Sequence, residues 1–212
     1  MYSVNYAPSL PRVLISLLLC AALVVLCYFE VDPALAFWVD RENFRRFAAF
    51  EYFTQLVNLI IWLTALYYLF FACTYARNPA ARRPLLSIAN SVTIAVFLKD
   101  ALKFVFGRYW PATWVNHNPS LLHDHAYGFH PFHAGSAYQS FPSGHTTVAV
   151  AAMTALWVCF PRWRWLAVLV GSLVVIGLLA EDYHFAGDCI AGAWLGATVA
   201  LYVTADSRVR RA

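Results

Sequence analysis

The sequence predicts an all-α fold: a polytopic membrane bundle of six transmembrane helices, built as one domain over residues 1–212 with both termini cytoplasmic. Three observations predict it. Only 12% of the 212 residues are charged and 61% are hydrophobic, whereas soluble domains carry about 25% charged residues. Mean hydropathy is +0.59. Apolar runs of roughly twenty residues recur along the chain, the length a helix needs to cross about 30 Å of hydrocarbon.

The runs fall at residues 13–29, 53–75, 86–107, 146–160, 165–180 and 190–204. The fourth and fifth are short, and reach further if their flanking polar residues line a cavity. The first is followed by Ala34-Leu35-Ala36, a small-residue pattern of the signal-cleavage type. Its apolar run is longer than a signal core and only Arg12 precedes it, so a retained span is expected. Basic residues gather at alternate ends: Arg12, then Arg77, Arg82 and Arg83, then Arg162 and Arg164, then Arg208, Arg210 and Arg211. At the other ends, Arg41, Arg45 and Arg46 are diluted by Asp40, Glu42 and Glu51, and the 109–141 loop has no Lys or Arg. The positive-inside rule therefore places both termini in the cytoplasm. The expected location is the plasma membrane, a bacterial inner membrane, crossed several times.

A formal net charge of +4 with scattered basic residues forms no basic stripe, so no nucleic-acid partner is expected. The five cysteines lie in or beside apolar runs and have no zinc-site spacing, so they read as small buried residues. The 109–141 loop holds His117, His123, His125, His130 and His133, without i+4 pairing and with Asp124 the nearby acid. They are expected to cap helices or meet a headgroup, and neither a metal nor a cofactor is expected. Gly192 and Gly196, flanked by Ala193 and Ala197, form a small-residue face suited to close packing within the bundle.

Three polar groups end up on the extracytoplasmic side under this topology. The first is Lys99, Lys103 and Arg108, followed by Tyr109-Trp110-Pro111. Ionisable groups at membrane depth are costly unless they face a cavity or a partner, and clustered cations suit a phosphate. The second is Pro142-Ser143-Gly144-His145. Ser143 begins a helix, Gly144 allows close backbone approach, and free N–H groups at a helix start favour an anion. The third is His184 with Asp188 at i+4, one face of a helix. Two imidazoles, one oriented by a carboxylate, match phosphoryl transfer through a covalent intermediate, one attacking and one protonating the leaving group.

These residues resemble the type 2 phosphatidic acid phosphatase, or lipid phosphate phosphatase, superfamily. The family pattern is K-x6-R-P, then P-S-G-H, then S-R-x5-H-x3-D. Lys103 and Pro111 match the first motif, Pro142 to His145 the second, and His184 and Asp188 the third. The resemblance implies that His184 attacks phosphorus, Asp188 orients it and His145 protonates the leaving oxygen. It also implies that Lys103, Ser143 and Gly144 contact phosphate and that no metal takes part. Two arginines of the pattern are replaced, one by Trp110 and one, with its preceding serine, by Gly177-Leu178. Arg108 is then expected to take over one phosphate contact, with Lys99 and Trp110 as secondary candidates. Glu181 and Asp182 add negative charge next to His184. The sphingomyelin-synthase branch of the superfamily also lacks these arginines, which draws weight towards a diester substrate or a lipid acceptor.

The leading expectation is an integral-membrane phosphatase that cleaves a phosphate ester of a membrane lipid at the extracytoplasmic face through a phosphohistidine. A phosphotransferase moving a phosphate or phospho-headgroup between lipids is the second reading, and a catalytically silent lipid-phosphate-binding protein the third.

Overall fold

The computed structural model describes residues 7–74, 79–114 and 116–209. Arg77, Arg210 and Arg211, which contribute to the expected orientation, lie outside the described residues. The chain begins with a continuous helical rod, Leu10–Glu42, made of α1 (Leu10–Leu26), a π-helical turn (Cys27–Val31) and α2 (Asp32–Glu42). Pro33 explains the wide turn. It has no N–H to donate, and its ring would collide with the carbonyl four residues back. The buried positions Cys20, Cys27, Asp32, Ala36 and Val39 continue on one side across this turn. Asn43, at φ 52°, ends α2 in a left-handed cap.

Two long apolar helices follow, α3 (Ala48–Thr74) and α4 (Pro79–Phe106). Gly107, at φ +54°, ends α4, its N–H donating to the Lys103 carbonyl at 2.9 Å. The long loop beyond it carries the single-turn α5 (Leu121–Asp124), capped by Ser120. Then come α6 (Gly144–Cys159), α7 (Arg164–Ala180) and α8 (Ala186–Val209). Among the described residues, β-pairing is limited to isolated bridges in the long loop.

Helices occupy all six expected positions. Five are long and apolar enough to cross a membrane: Leu10–Glu42, Ala48–Cys73, Arg83–Phe106, Pro161–Ala180 and Ala186–Ala205. The exception is α6, whose 16 residues give about 24 Å at 1.5 Å per residue. Its N-terminus does not reach a surface, because Ser140, Ser143 and Gly144 are all buried there.

The short helix is the centre of the molecule. It packs against α3, α4, α7 and α8, most extensively against α8. Val148, Ala149 and Ala152 of α6 form one core with Val57, Val92, Val174, Leu178 and Cys189, while Ala151 meets Ala95, Leu195 and Val199. Large apolar side chains point outwards instead, Leu18, Trp62, Leu69 and Phe97 among them. A surface of that kind is covered by lipid, and helices alone satisfy their own backbone there. The protein is a multi-pass membrane protein. The small-residue face lies against α6: a Cβ on Gly192 would stand 2.6 Å from the Ser143 carbonyl oxygen, and one on Gly196 would stand 2.8 Å from the Ala151 nitrogen.

At the end of the bundle that carries the long loop, Arg45 ties three turns together. Its guanidinium pairs with the buried Asp182 at 3.2 Å and lies 5.0 Å over the Trp114 ring, while the Trp114 indole donates to the Asp182 carbonyl at 3.2 Å. Burial pushes the Asp182 carboxyl up to about 7, against the opposing pull of Arg45.

Two outcomes follow from this packing. Gly192→Val should lower the thermal unfolding midpoint of the detergent-solubilised protein, costing about 1–3 kcal/mol as an overpacked core does. Because the folded Asp182 carboxyl titrates above its ordinary 3.8, its contribution to stability is full below about pH 4 and is lost as pH rises towards 7. Unfolding midpoints of Asp182→Asn across that range should therefore vary less with pH than those of the parent.

Candidate active site

The polar groups singled out in the sequence lie at one end of the bundle because three helix ends converge there. The last two turns of α4 supply Lys99 and Lys103, the first turn of α6 supplies His145, and the first turn of α8 supplies Asp188. The turn between α7 and α8 adds Tyr183 and His184. The backbone joins two of these starts directly, the Ser143 N–H donating to the Asp188 carbonyl at 3.0 Å.

A cavity of about 210 Å³ opens between them. Lys99, Lys103, Trp110, Gly144, His145, Tyr183 and His184 line it, with Val57, Asn58 and Ile61 of α3 forming the opposite wall. The His145 and His184 rings stand 6.2 Å apart between centroids, so a group small enough to fit between them touches both. His184 turns Nδ1 away, towards Asp188 Oδ2 and Ser140 Oγ, each at 3.5 Å. Its Nε2 is left for the cavity. Burial lowers the His184 titration below the ordinary imidazole range, while Asp188 pulls it upwards. A neutral ring with its free nitrogen in the cavity is a nucleophile.

Asp188 is held at every oxygen. Ser140 Oγ donates to Oδ2 at 2.6 Å, the Phe185 N–H to the same oxygen at 3.1 Å, and Arg108 Nη1 to Oδ1 at 2.6 Å. Lys103 Nζ donates to the Gln139 carbonyl and lies 5.4 Å from the Trp110 ring. Gly144 has no side chain where Lys99 crosses: a Cβ there would meet the Lys99 stem at 3.0 Å.

Several expected positions are corrected by this geometry. Arg108 does not line the cavity. It is buried completely, with its guanidinium bound to Asp188 and, through Nη2 at 2.8 Å, to Asp32. It stands too early in the loop to reach the phosphate side, since the chain turns inward immediately after Gly107. Ser143 is also behind the cavity, its hydroxyl accepting the Thr146 N–H at 3.3 Å as an ordinary helix cap. Neither Glu181 nor Asp182 lines the cavity, and Asp182 faces Arg45. Their charge is therefore not directed at the space between the two histidines.

The replaced arginines have structural explanations. Trp110 lies against His184 at 5.1 Å between ring centroids and donates its indole N–H to the Ser136 carbonyl at 2.7 Å. Leu178 is fully buried in the core, and a Cβ at Gly177 would come within 2.7 Å of the Phe50 carbonyl oxygen. A long cation has no room there. Lys99 and Lys103 are thus the cationic side chains lining the cavity.

Asp32 was not singled out in the sequence, and neither Ser140 nor Tyr127 was read as a partner of Asp188 or Arg108. Asp32 did carry a signal, a carboxylate inside the first apolar rod, but it fell just past the expected end of that span. Ser140 and Tyr127 sit in a loop without periodicity. Among the described residues, no three His, Cys, Asp or Glu side chains cluster in a way that would hold a metal. His130 and His133 instead pack with Tyr109 and Tyr138 as rings, the Tyr109–His130 centroids being 4.4 Å apart.

The family model described as PAP2 superfamily matches residues 84–212, more than half of the chain. A lipid A 1-phosphatase of Rhizobium johnstonii is 32% identical over 114 residues, covering 52% of this chain and 43% of that protein. A lipid A 1-phosphatase of Rhizobium etli is 30% identical over 110 residues, covering 50% and 43%. The match thus spans less than half the length of either relative. A solved structure, a transmembrane PAP2-type phosphatidylglycerolphosphate phosphatase from Bacillus subtilis, superimposes with a TM-score of 0.51 over 93% of this chain and 96% of that one, at 17% identity. At that identity it shows the shared fold. With the family motifs gathered at the ends of α4, α6 and α8, the chain belongs to the PAP2 superfamily.

Proposed function

We propose that this protein hydrolyses the phosphate ester of a membrane lipid through a phosphohistidine. The observation that carries the reading is the pair of imidazoles on one cavity, with Asp188 behind His184 and two lysines at the rim. His184 Nε2 attacks phosphorus, forming an N–P bond as the P–O bond to the lipid breaks. The electron pair leaves on the lipid oxygen, which takes a proton from the His145 imidazolium. Water then attacks the phosphohistidine, giving its proton to neutral His145, and inorganic phosphate departs as the N–P bond breaks. Lys99 and Lys103, with the N–H groups at the start of α6, stabilise charge on the phosphoryl oxygens.

A lipid substrate is supported by the wall of the cavity. Val57, Asn58 and Ile61 lie on α3, and a second, mainly apolar cavity of about 320 Å³ lies among Ile60, Leu63 and Tyr67 of α3, Leu85 and Ile88 of α4 and Met153 of α6. Acyl chains would lie alongside the headgroup in that groove. The relatives' names make lipid A bearing a 1-phosphate and phosphatidylglycerol phosphate the first substrates to try. The distribution of arginines in the loops supports a site on the extracytoplasmic face of a bacterial inner membrane, with six spans and cytoplasmic termini. The Trp110 and Tyr183 rings beside His184 favour one further reading, in which a lipid hydroxyl replaces water in the second step.

Purified protein in detergent should release inorganic phosphate from one or more of phosphatidic acid, phosphatidylglycerol phosphate, a polyprenyl diphosphate and lipid A. His184→Ala should abolish release, and His145→Ala should lower kcat by about 10²–10⁴-fold, the usual worth of a general acid. No release from any donor, with the fold intact, would overturn hydrolysis. Formation of a new lipid phosphate only when an acceptor lipid is added would establish transfer.

A further inference from the structure

The second carboxylate on Arg108 is not explained by the reaction as written. Arg108 is fully buried, and its guanidinium lies between Asp188, at 2.6 Å, and Asp32, at 2.8 Å. Four aromatic rings surround the guanidinium, with centroids between 4.2 Å for Phe185 and 5.4 Å for Tyr28. Tyr127 accepts a hydrogen bond from Nη2 at 2.9 Å. Asp32 is itself 1% exposed, and its other oxygen accepts the Gly187 N–H at 3.0 Å. The fit around it is close, since a Cβ on Gly187 would meet Asp32 Oδ2 at 3.0 Å and Arg108 Nη1 at 3.5 Å.

Asp188 alone would neutralise Arg108. Burying another carboxylate is costly, and it leaves this cluster with one excess negative charge. The positive groups facing that excess are few. Asp188 Oδ2 points at His184, and His184 is the group that becomes positive when it bonds to phosphorus. A fixed, dehydrated charge aimed at a charge that develops during reaction is electrostatic preorganisation. Without Asp32, the Arg108 cation would cancel most of what His184 feels from Asp188.

Resting on the proposed phosphohistidine reaction, we propose that Asp32 is a positioning residue: by sharing Arg108 it keeps the negative charge of Asp188 available to His184. Asp32 touches neither the cavity nor the substrate space and acts through Asp188. The other titratable or charged groups around His184 are Lys99 and Lys103 from α4, His145 from α6, the neighbouring Tyr183, and Asp182, which lines a small crevice with His184 and Asp32 and is paired with Arg45. The lysines and His145 oppose a positive His184, which makes the excess charge on the other side more consequential.

The test compares the parent, Asp32→Asn, and the double variant Asp32→Asn with Arg108→Gln. The readout is the titration of the His184 imidazole by ¹⁵N-histidine NMR in detergent, assigned with His184→Gln. Asp32→Asn should lower the His184 midpoint by about one pH unit, a tenfold change in the protonation equilibrium. The acid limb of kcat/KM should shift downwards by the same amount. The double variant removes both charges, leaves Asp188 uncancelled and should return the midpoint to that of the parent. An unshifted midpoint in Asp32→Asn would overturn the proposal. A lowered midpoint in the double variant would overturn it as well, whether or not the single variant folds. The NMR readout needs no turnover, so a parent protein that releases no phosphate refutes the hydrolase reading separately.

Discussion

A guanidinium with no access to water must find its counter-charges inside the protein, and Arg108 finds them on two segments far apart in sequence. Asp32 opens α2 and Asp188 lies in the first turn of α8. Once that pair of contacts is made, much else follows. The long loop must turn inward after Gly107, Tyr127 must approach Tyr28, where its hydroxyl donates to the Tyr28 carbonyl at 2.7 Å, and Phe185 must close over the cation. Removing one partner of such a buried pair is strongly destabilising, about 3–5 kcal/mol, because the other charge stays behind. The ion cluster is therefore a constraint on geometry more than a source of net stability.

The end of the bundle that carries the candidate site inherits its order from that constraint. With Oδ1 occupied by Arg108, Asp188 presents Oδ2 to Ser140, to the Phe185 N–H and to His184. The ring of His184 is then fixed between Asp188 on one side and Trp110 on the other. Helix packing supplies the remaining precision. Because Gly192 and Gly196 let α8 approach α6 so closely, the starts of both helices come level, and His145 and His184 share one cavity.

Much of this was legible in the sequence. The six apolar segments and the three motif groups stand out because membrane depth and helical spacing both leave a strong periodic signal. For that reason the sequence brings out Lys103, Gly144, His145 and His184, which line one cavity, and Asp188, which stands behind His184. Arg108 was read as a phosphate contact because nearness in sequence to Lys103 and Trp110 suggested nearness in space. Gly107, in the left-handed conformation, separates Arg108 from Lys103, and Arg108 is directed to Asp32 and Asp188 while Trp110 lines the cavity. The contacts of Asp32 and Ser140 were invisible for a different reason, since a lone carboxylate or hydroxyl has meaning only once a partner more than forty residues away is known.

The π-helical turn at Cys27–Val31 gives the first rod one residue more than a regular helix of the same span would contain. Five α-helical residues rotate a side chain by about 140° from where they began. In an unbroken α-helix, a residue five places after Cys27 would therefore face mainly towards lipid. The wide turn absorbs that excess, and Asp32 lands on the buried stripe with Cys27 and Ala36. The inward face of α2 thus depends on a count of residues as much as on their identity. Deleting one position in this turn, even an outward-facing one such as Phe29, would re-register the helix and carry Asp32 off its partner without altering a residue that touches Arg108.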